Sequence, residues 1–185
     1  MLFDGVDEAA RAVRASFPPG APRRSPARPA PLLRPPGALA EASFGATCER
    51  SGKCVAACPV HAIQLLRSAD PDRDGTPHLV PSQQACVVCD DLSCMKACPS
   101  GALTLVDKHA IRIGHAVVDL GTCVRSAGEA CRECVDLCPL GSAAIGLDDR
   151  GRVEVRRDGC TGCGVCEQHC PTSPRAITIR PWAER

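Results

Sequence analysis

Four cysteines stand within eleven residues in Cys160-Thr161-Gly162-Cys163-Gly164-Val165-Cys166-Glu167-Gln168-His169-Cys170-Pro171. Thiolates set this closely are soft donors suited to iron–sulfur clusters or zinc. The order Cys-x2-Cys-x2-Cys-x3-Cys-Pro is that of bacterial 4Fe–4S loops, in which three cysteines hold one cluster and the fourth serves its neighbour. Gly162 and Gly164 allow the positive φ angles needed to wrap three thiolates around one cube. Backbone N–H groups of such a loop can then point at the sulfurs. Cys166 and Cys170 are four residues apart, so one helical turn presents Cys170 to a second cluster, and Pro171 ends the turn. Structural zinc fits poorly, because its ligand pairs usually come from segments roughly a dozen residues apart. A disulfide framework fits no better: the chain has 15 cysteines, an odd number, and no recognisable secretion signal.

The elements that must position these thiols come from a chain of 185 residues, enough for one or two small domains. Aromatic residues make up 2%, with no Tyr, three Phe and one Trp, so few large side chains can build a core. Small folds in that position recruit metals instead. The formal net charge of +1 counts thiols as neutral. A 4Fe–4S cube with four thiolates carries about −2, so four of them bring the total to roughly −7. An acidic loaded protein makes nucleic acid a poor partner. No apolar run reaches the ~18 residues of a membrane span.

Residues 1–15 suit a short amphipathic helix from Val6 to Ala15, a frayed surface element. Residues 16–36 hold eight prolines, four arginines and no acid, the composition of a disordered arm. Arg23-Arg24 suggests twin-arginine export, but no apolar segment follows, and a solvated basic stretch is the simpler reading. In Ser68–Pro77, Asp70, Asp72 and Asp74 alternate before Gly75. With no glutamate to complete a calcium loop, this is a surface turn.

From Leu33 the chain repeats one unit four times. The units are Cys48-x5-Cys54-x3-Cys58-Pro59, Cys86-x2-Cys89-x4-Cys94-x3-Cys98-Pro99, Cys123-x7-Cys131-x2-Cys134-x3-Cys138-Pro139 and the motif already described. Each ends in an alternating apolar stretch: Ala62–Leu65, Ala102–Leu105, Ala144–Leu147 and Ala176–Ile179. Further short strands are expected at His78–Val80, Ala116–Val118 and Val153–Val155. Strand, cluster loop, helical turn and strand make half of a two-cluster ferredoxin domain. The expected fold is therefore α+β: two bacterial 2[4Fe-4S] ferredoxin-like modules, short β-hairpins with cluster loops and helical turns, after a disordered Pro/Arg-rich N-terminal arm.

The segment Leu33-Arg34-Pro35-Pro36-Gly37-Ala38-Leu39, Phe44, the x4 and x7 spacings, and Lys96-Ala97-Cys98-Pro99-Ser100-Gly101-Ala102-Leu103 resemble the NapG/MauM ferredoxin-type proteins, over residues 33–180 or so. The resemblance implies electron transfer through four 4Fe–4S clusters, from a membrane quinol-oxidising partner toward periplasmic nitrate reductase, or a role in methylamine utilisation. It implies that all fifteen cysteines are ligands. It also implies that the first unit pairs with the fourth and the second with the third. Cys48, Cys54 and Cys170 then share one site, and Cys160, Cys163, Cys166 and Cys58 its partner. Cys86, Cys89, Cys94 and Cys138 form the third, and Cys123, Cys131, Cys134 and Cys98 the fourth. The domains become 1–43 (helix and arm), 44–67 with 151–182 (outer module) and 78–150 (inner module). Sequential pairing, first with second, is the alternative.

Two features depart from the family. The export segment usual before Pro-Pro-Gly is not seen, which points to the cytoplasm, or to the periplasm if the true start lies upstream. In the first unit Ser51 replaces a ligand cysteine, while Gly52 is kept. A hydroxyl is a harder, less acidic ligand for iron than a thiolate. A 3Fe–4S cluster is the leading expectation there, with Ser-ligated or labile 4Fe–4S, or no cluster, as alternatives. Three or four clusters are thus expected in all.

His61 and His169 flank cluster cysteines but fall outside the ligand spacing, and surface roles suit them better. Lys53, Lys96, Arg125 and Arg132 lie inside the loops and can offset cluster charge. No dinucleotide motif, phosphate loop or hydrolytic triad is visible, so the expected protein is an electron carrier or electron-transfer subunit rather than an enzyme. The alternative is a structural or redox-sensing cluster protein.

Overall fold

The computed structural model describes residues 31–182. The helix expected over Val6–Ala15 and most of the proline-rich stretch lie outside the described residues. Helices α1 (Glu41–Thr47), α2 (Lys53–Ala56), α3 (Ser93–Lys96), α4 (Glu133–Asp136) and α5 (Val165–Gln168) alternate with six short strands. These are β1 (Ile63–Leu65), β2 (Pro77–Leu79), β3 (Gly114–Val118), β4 (Ile145–Leu147), β5 (Val153–Val155) and β6 (Ile177–Pro181). Helices α2 to α5 have four residues each, too short to form unaided, so their stability comes from what they pack against.

Strand pairing is antiparallel throughout, and alternation decides which side chains turn inward. In β1–β2 the buried Ile63 faces Leu79, while Gln64 and His78 pair on the open face. In β4–β5 Ile145 faces Val155, and in β3–β6 Ala116 faces Ile179 and Val118 faces Ile177. One core gathers Phe44, Ile63, Leu79, Met95, Leu103, Ile111 and Ile113; the other gathers Ala116, Ile145, Val153, Ile177 and Ile179. Leu33 packs against both.

Three expectations need correction. First, hairpin β1–β2 joins the first unit to the second, α2 packs on α3, and hairpin β4–β5 with α4 on α5 joins the third to the fourth. The described halves are thus consecutive, against the division into 44–67 with 151–182 and 78–150. The physical reason is that strands joined by a short connection pair at little loop-closure cost. Second, the segment expected as strand Ala102–Leu105 forms only an isolated bridge, Leu103 to Ala38. Its neighbour Pro35-Pro36 has no N–H to extend a ladder, and Gly37 turns away at φ +73°.

Third, the arm does not run to residue 43. Arg34 is only 2% exposed. Its guanidinium donates to both Glu41 carboxylate oxygens at 2.8 and 2.7 Å, to Thr76 Oγ1 at 2.8 Å and to the Pro77 carbonyl at 2.8 Å. It also lies 4.4 Å from the centre of the Phe44 ring. A buried cation so fully hydrogen-bonded fixes the segment before α1 onto the first hairpin. Burial raises the Glu41 pKa, but the Arg34 hydrogen bonds and charge, with help from Arg73, outweigh it and hold the carboxyl below its usual range.

Candidate iron–sulfur sites

Every loop cysteine is a free thiol, and the fifteen divide among four cavities. Cys48, Cys54 and Cys98 line the first cavity, with Ser51 in the fourth corner. Cys86, Cys89, Cys94 and Cys58 line the second. Cys160, Cys163, Cys166 and Cys138 line another, and Cys123, Cys131, Cys134 and Cys170 the last. The groupings expected from resemblance, Cys58 with the Cys160 loop, Cys170 with the Cys48 loop, Cys138 with the Cys86 loop and Cys98 with the Cys123 loop, are not the ones seen. Each closing cysteine is instead carried by its hairpin to the loop of the adjacent unit.

Among the described residues, no three His, Cys, Asp or Glu side chains converge closely enough to grip a single metal ion. The thiols are spread around cavities whose walls are mainly apolar, as a cube with several iron corners requires. Burial, aided by neighbouring sulfurs, pushes the Cys54, Cys134 and Cys163 thiols up to about 11 and Cys86 and Cys94 to about 12. Cys166 rises further for the same reasons. Ionising such thiols is unfavourable unless a cation arrives with them. Burial also raises Cys98 and Cys170, but hydroxyl and N–H donors around their sulfurs outweigh it, and both settle below the usual thiol range.

The sites follow one another in a line. Cys54 raises the pKa of Cys94 across the first pair of cavities, and Cys134 that of Cys166 across the last pair. Between the halves, Cys86 N–H donates to the Cys163 carbonyl at 3.0 Å. The Ile113 N–H donates to the Thr161 carbonyl at 2.9 Å beside it. Gly162 (φ +72°) and Gly164 (φ +89°) take the conformations expected of them. They have a second use: a Cβ on Gly162 would meet Gly114 backbone atoms at 2.3 Å, and one on Gly164 would meet Pro81 at 2.3 Å. The order along the line is the Cys48, Cys86, Cys160 and Cys123 sites.

Ser51 is exposed, at the water-facing rim of its cavity, between Arg50 (φ +55°) and Gly52 (φ +70°). His61 and His169 are exposed and line none of the four cavities. Lys96 pairs with Asp91 at 2.7 Å and Arg132 with Asp136 at 3.1 Å, both on the surface. Lys53 is exposed too. Arg125 does line the Cys123 cavity, but its donors go to the Gly151 carbonyl at 2.5 Å and the Cys131 carbonyl at 3.2 Å, which makes it a clamp. In the Ser68–Pro77 turn, Asp70 and Asp74 accept from backbone N–H groups at 3.0 and 2.9 Å, as a surface turn should.

A family model described as a 4Fe-4S dicluster domain matches residues 47–102, 85–142 and 129–173. The methylamine utilization ferredoxin-type protein MauM of Methylophilus methylotrophus is 43% identical over 166 residues, 84% of this chain and 74% of that protein. The chain belongs to the MauM/NapG family of ferredoxin-type proteins. The ferredoxin-type protein NapG of Haemophilus influenzae is 40% identical over 172 residues, 85% of this chain and 62% of that protein. NapG of Escherichia coli is 38% identical over 162 residues, 80% of this chain and 70% of that protein. As a MauM/NapG-type ferredoxin the chain carries 4Fe–4S clusters, and its business is electron transfer. The overlapping dicluster matches span each adjacent pair of units in turn, and the cavities distinguish the pairs.

Sequence reasoning missed Arg34, whose type and position in a basic, proline-rich run gave no sign of burial. It also missed the hydroxyls of Ser100 and Thr172 beside Cys98 and Cys170. Their signal was there to be read: Cys-Pro-Ser and Cys-Pro-Thr close two units, against Cys-Pro-Val and Cys-Pro-Leu in the others.

Proposed function

We propose that this ferredoxin-type protein relays single electrons along four sites held by its fifteen cysteines, between redox proteins that meet its two ends. It acts as a subunit or partner of a larger oxidoreductase and does no bond chemistry itself. Each bound cluster supplies a one-electron couple. The chain's own groups do the rest: thiolates grip, apolar walls exclude water, and the backbone fixes the spacing between sites. The observation that carries this reading is the Cys86 N–H bond to the Cys163 carbonyl at 3.0 Å, since it removes the gap between the two halves. Without it the protein would hold two separate pairs.

At the first site we propose a 3Fe–4S cluster on Cys48, Cys54 and Cys98. Ser51 offers a hydroxyl at the corner nearest water, where an iron is most readily lost. The test is anaerobic purification of the wild type and Ser51→Cys, with iron analysis and low-temperature EPR. The expected result is a 3Fe–4S signal in the oxidised wild type that is lost in the variant, which gains one iron per chain. Identical spectra and iron content would refute the Ser51 proposal. A colourless protein, or clusters that decay in air without cycling reversibly, would refute the relay.

A further inference from the structure

The outer two sites share a device that the Cys86 site lacks. At the Cys123 site, Thr172 Oγ1 lies 3.2 Å from the sulfur of the closing cysteine, Cys170. The Ala176 N–H donates to that same oxygen at 2.8 Å, so the one hydroxyl hydrogen is left for the sulfur. At the Cys48 site, Ser100 Oγ lies 3.7 Å from Cys98 Sγ and accepts from the Ala102 N–H at 3.4 Å. The two geometries are the same motif. After Cys58 and Cys138 the matching residues are Val60 and Leu140, whose side chains carry no hydroxyl, although Cys58 still accepts from the Ala62 N–H at 3.3 Å.

Lining and burial run the same way. The cavity of the Cys86 site is walled by cysteines and apolar side chains alone. At the Cys160 site one hydroxyl intrudes: Thr161, 1% exposed, whose Oγ1 has no other partner. Two of the four cysteines of the Cys86 site, Cys58 and Cys94, and three of the four of the Cys160 site are buried, whereas every cysteine of the Cys48 and Cys123 sites is only half-buried. Reduction adds one electron and breaks no bond, so it makes the centre more negative. Hydrogen bonds to sulfur and contact with water favour that form, and an apolar wall disfavours it.

We propose that Thr172 and Ser100 raise the reduction potentials of the two outer centres by donating to cysteine sulfur, leaving the Cys86 centre the lowest in potential of the four. This rests on the reading that the cysteines hold clusters. Electrons supplied by an external one-electron reductant then settle at the ends of the line and cross its middle uphill.

The test is a mediated redox titration of the full-length protein, with dithionite as reductant and each couple followed by EPR. The wild type is compared with Thr172→Ala, Thr172→Ser and Val60→Thr. In Thr172→Ala one couple moves to lower potential while the rest stay; in Thr172→Ser, which keeps the donor, that couple stays in place. Val60→Thr, which installs the missing hydroxyl in nearly the same volume, moves the lowest couple upward. A Thr172→Ala protein with wild-type iron and sulfide content and unmoved couples would overturn the inference. So would a Val60→Thr shift in any couple but the lowest. Wild type devoid of iron and sulfide would instead defeat the underlying function.

Discussion

Replacing Gly162 by alanine tests how tightly the Cys160 loop packs on strand β3. Two separable effects act there. At φ +72° an L-residue is strained by roughly 1–2 kcal/mol. The new Cβ would also meet Gly114 N, C and O at 2.3 to 2.4 Å. Those atoms cannot easily yield, because Gly114 is in β3, opposite Pro181 of β6, and its neighbour Ile113 donates to Thr161. Forcing backbone apart in a packed contact costs about 1–3 kcal/mol. The two together come to about 2–5 kcal/mol. Gly141 is the control: φ is +56° and the space a Cβ would take is open to 4 Å, so Gly141→Ala carries the strain alone. The gap between the variants is therefore about 1–3 kcal/mol, or about 2–12 °C of melting temperature at this chain length. Anaerobic melting followed by cluster absorbance and far-UV circular dichroism, at one fixed scan rate, measures it. Equal midpoints for Gly162→Ala and Gly141→Ala would show that the Cys160 loop does not press on β3 at Gly114.

Two further outcomes follow from the fold. Arg34→Met removes both hydrogen bonds to the Glu41 carboxylate, which keeps only Arg73, and the donor to Thr76, and should lower stability by about 2–3 kcal/mol, measured by the same melts. Because Glu41 has its folded pKa depressed, its contribution is fully present above the ordinary glutamate value and fades as pH falls through the folded one. The stability gap between wild type and Glu41→Gln should accordingly be flat near neutrality and shrink in acid. Stripping iron with a chelator under reducing conditions should abolish protection of the β1–β2 and β4–β5 amides from hydrogen exchange. The cores there contain cysteines among their buried members, and the loops have little else to hold them. Native-like protection without iron would show that the apolar cores suffice.

The cysteine loops were legible because their chemistry is local. Three thiols two or a few residues apart can meet one cluster whatever the rest of the chain does, and Gly162 and Gly164 announce the turn required. Strands such as Val153–Val155 and Ala116–Val118 were legible for the same reason, from alternation over a few residues. Ala102–Leu105 read equally well as a strand and is not one, since a ladder needs a partner with N–H groups, and Pro35-Pro36 supplies none.

What the residues by themselves determined is the kind of guest and the local groups of cysteines that line its cavities. Where the fourth cysteine of each unit goes was left to the tertiary structure. Four similar repeats offer similar surfaces, so spacing cannot rank the ways of pairing them; the short hairpins β1–β2 and β4–β5 do, by bringing Cys58 to Cys86 and Cys138 to Cys160. The meeting of Cys86 with Cys163 is likewise a contact between segments far apart in the chain, and beside it Gly164 comes close to Pro81 only because it has no side chain.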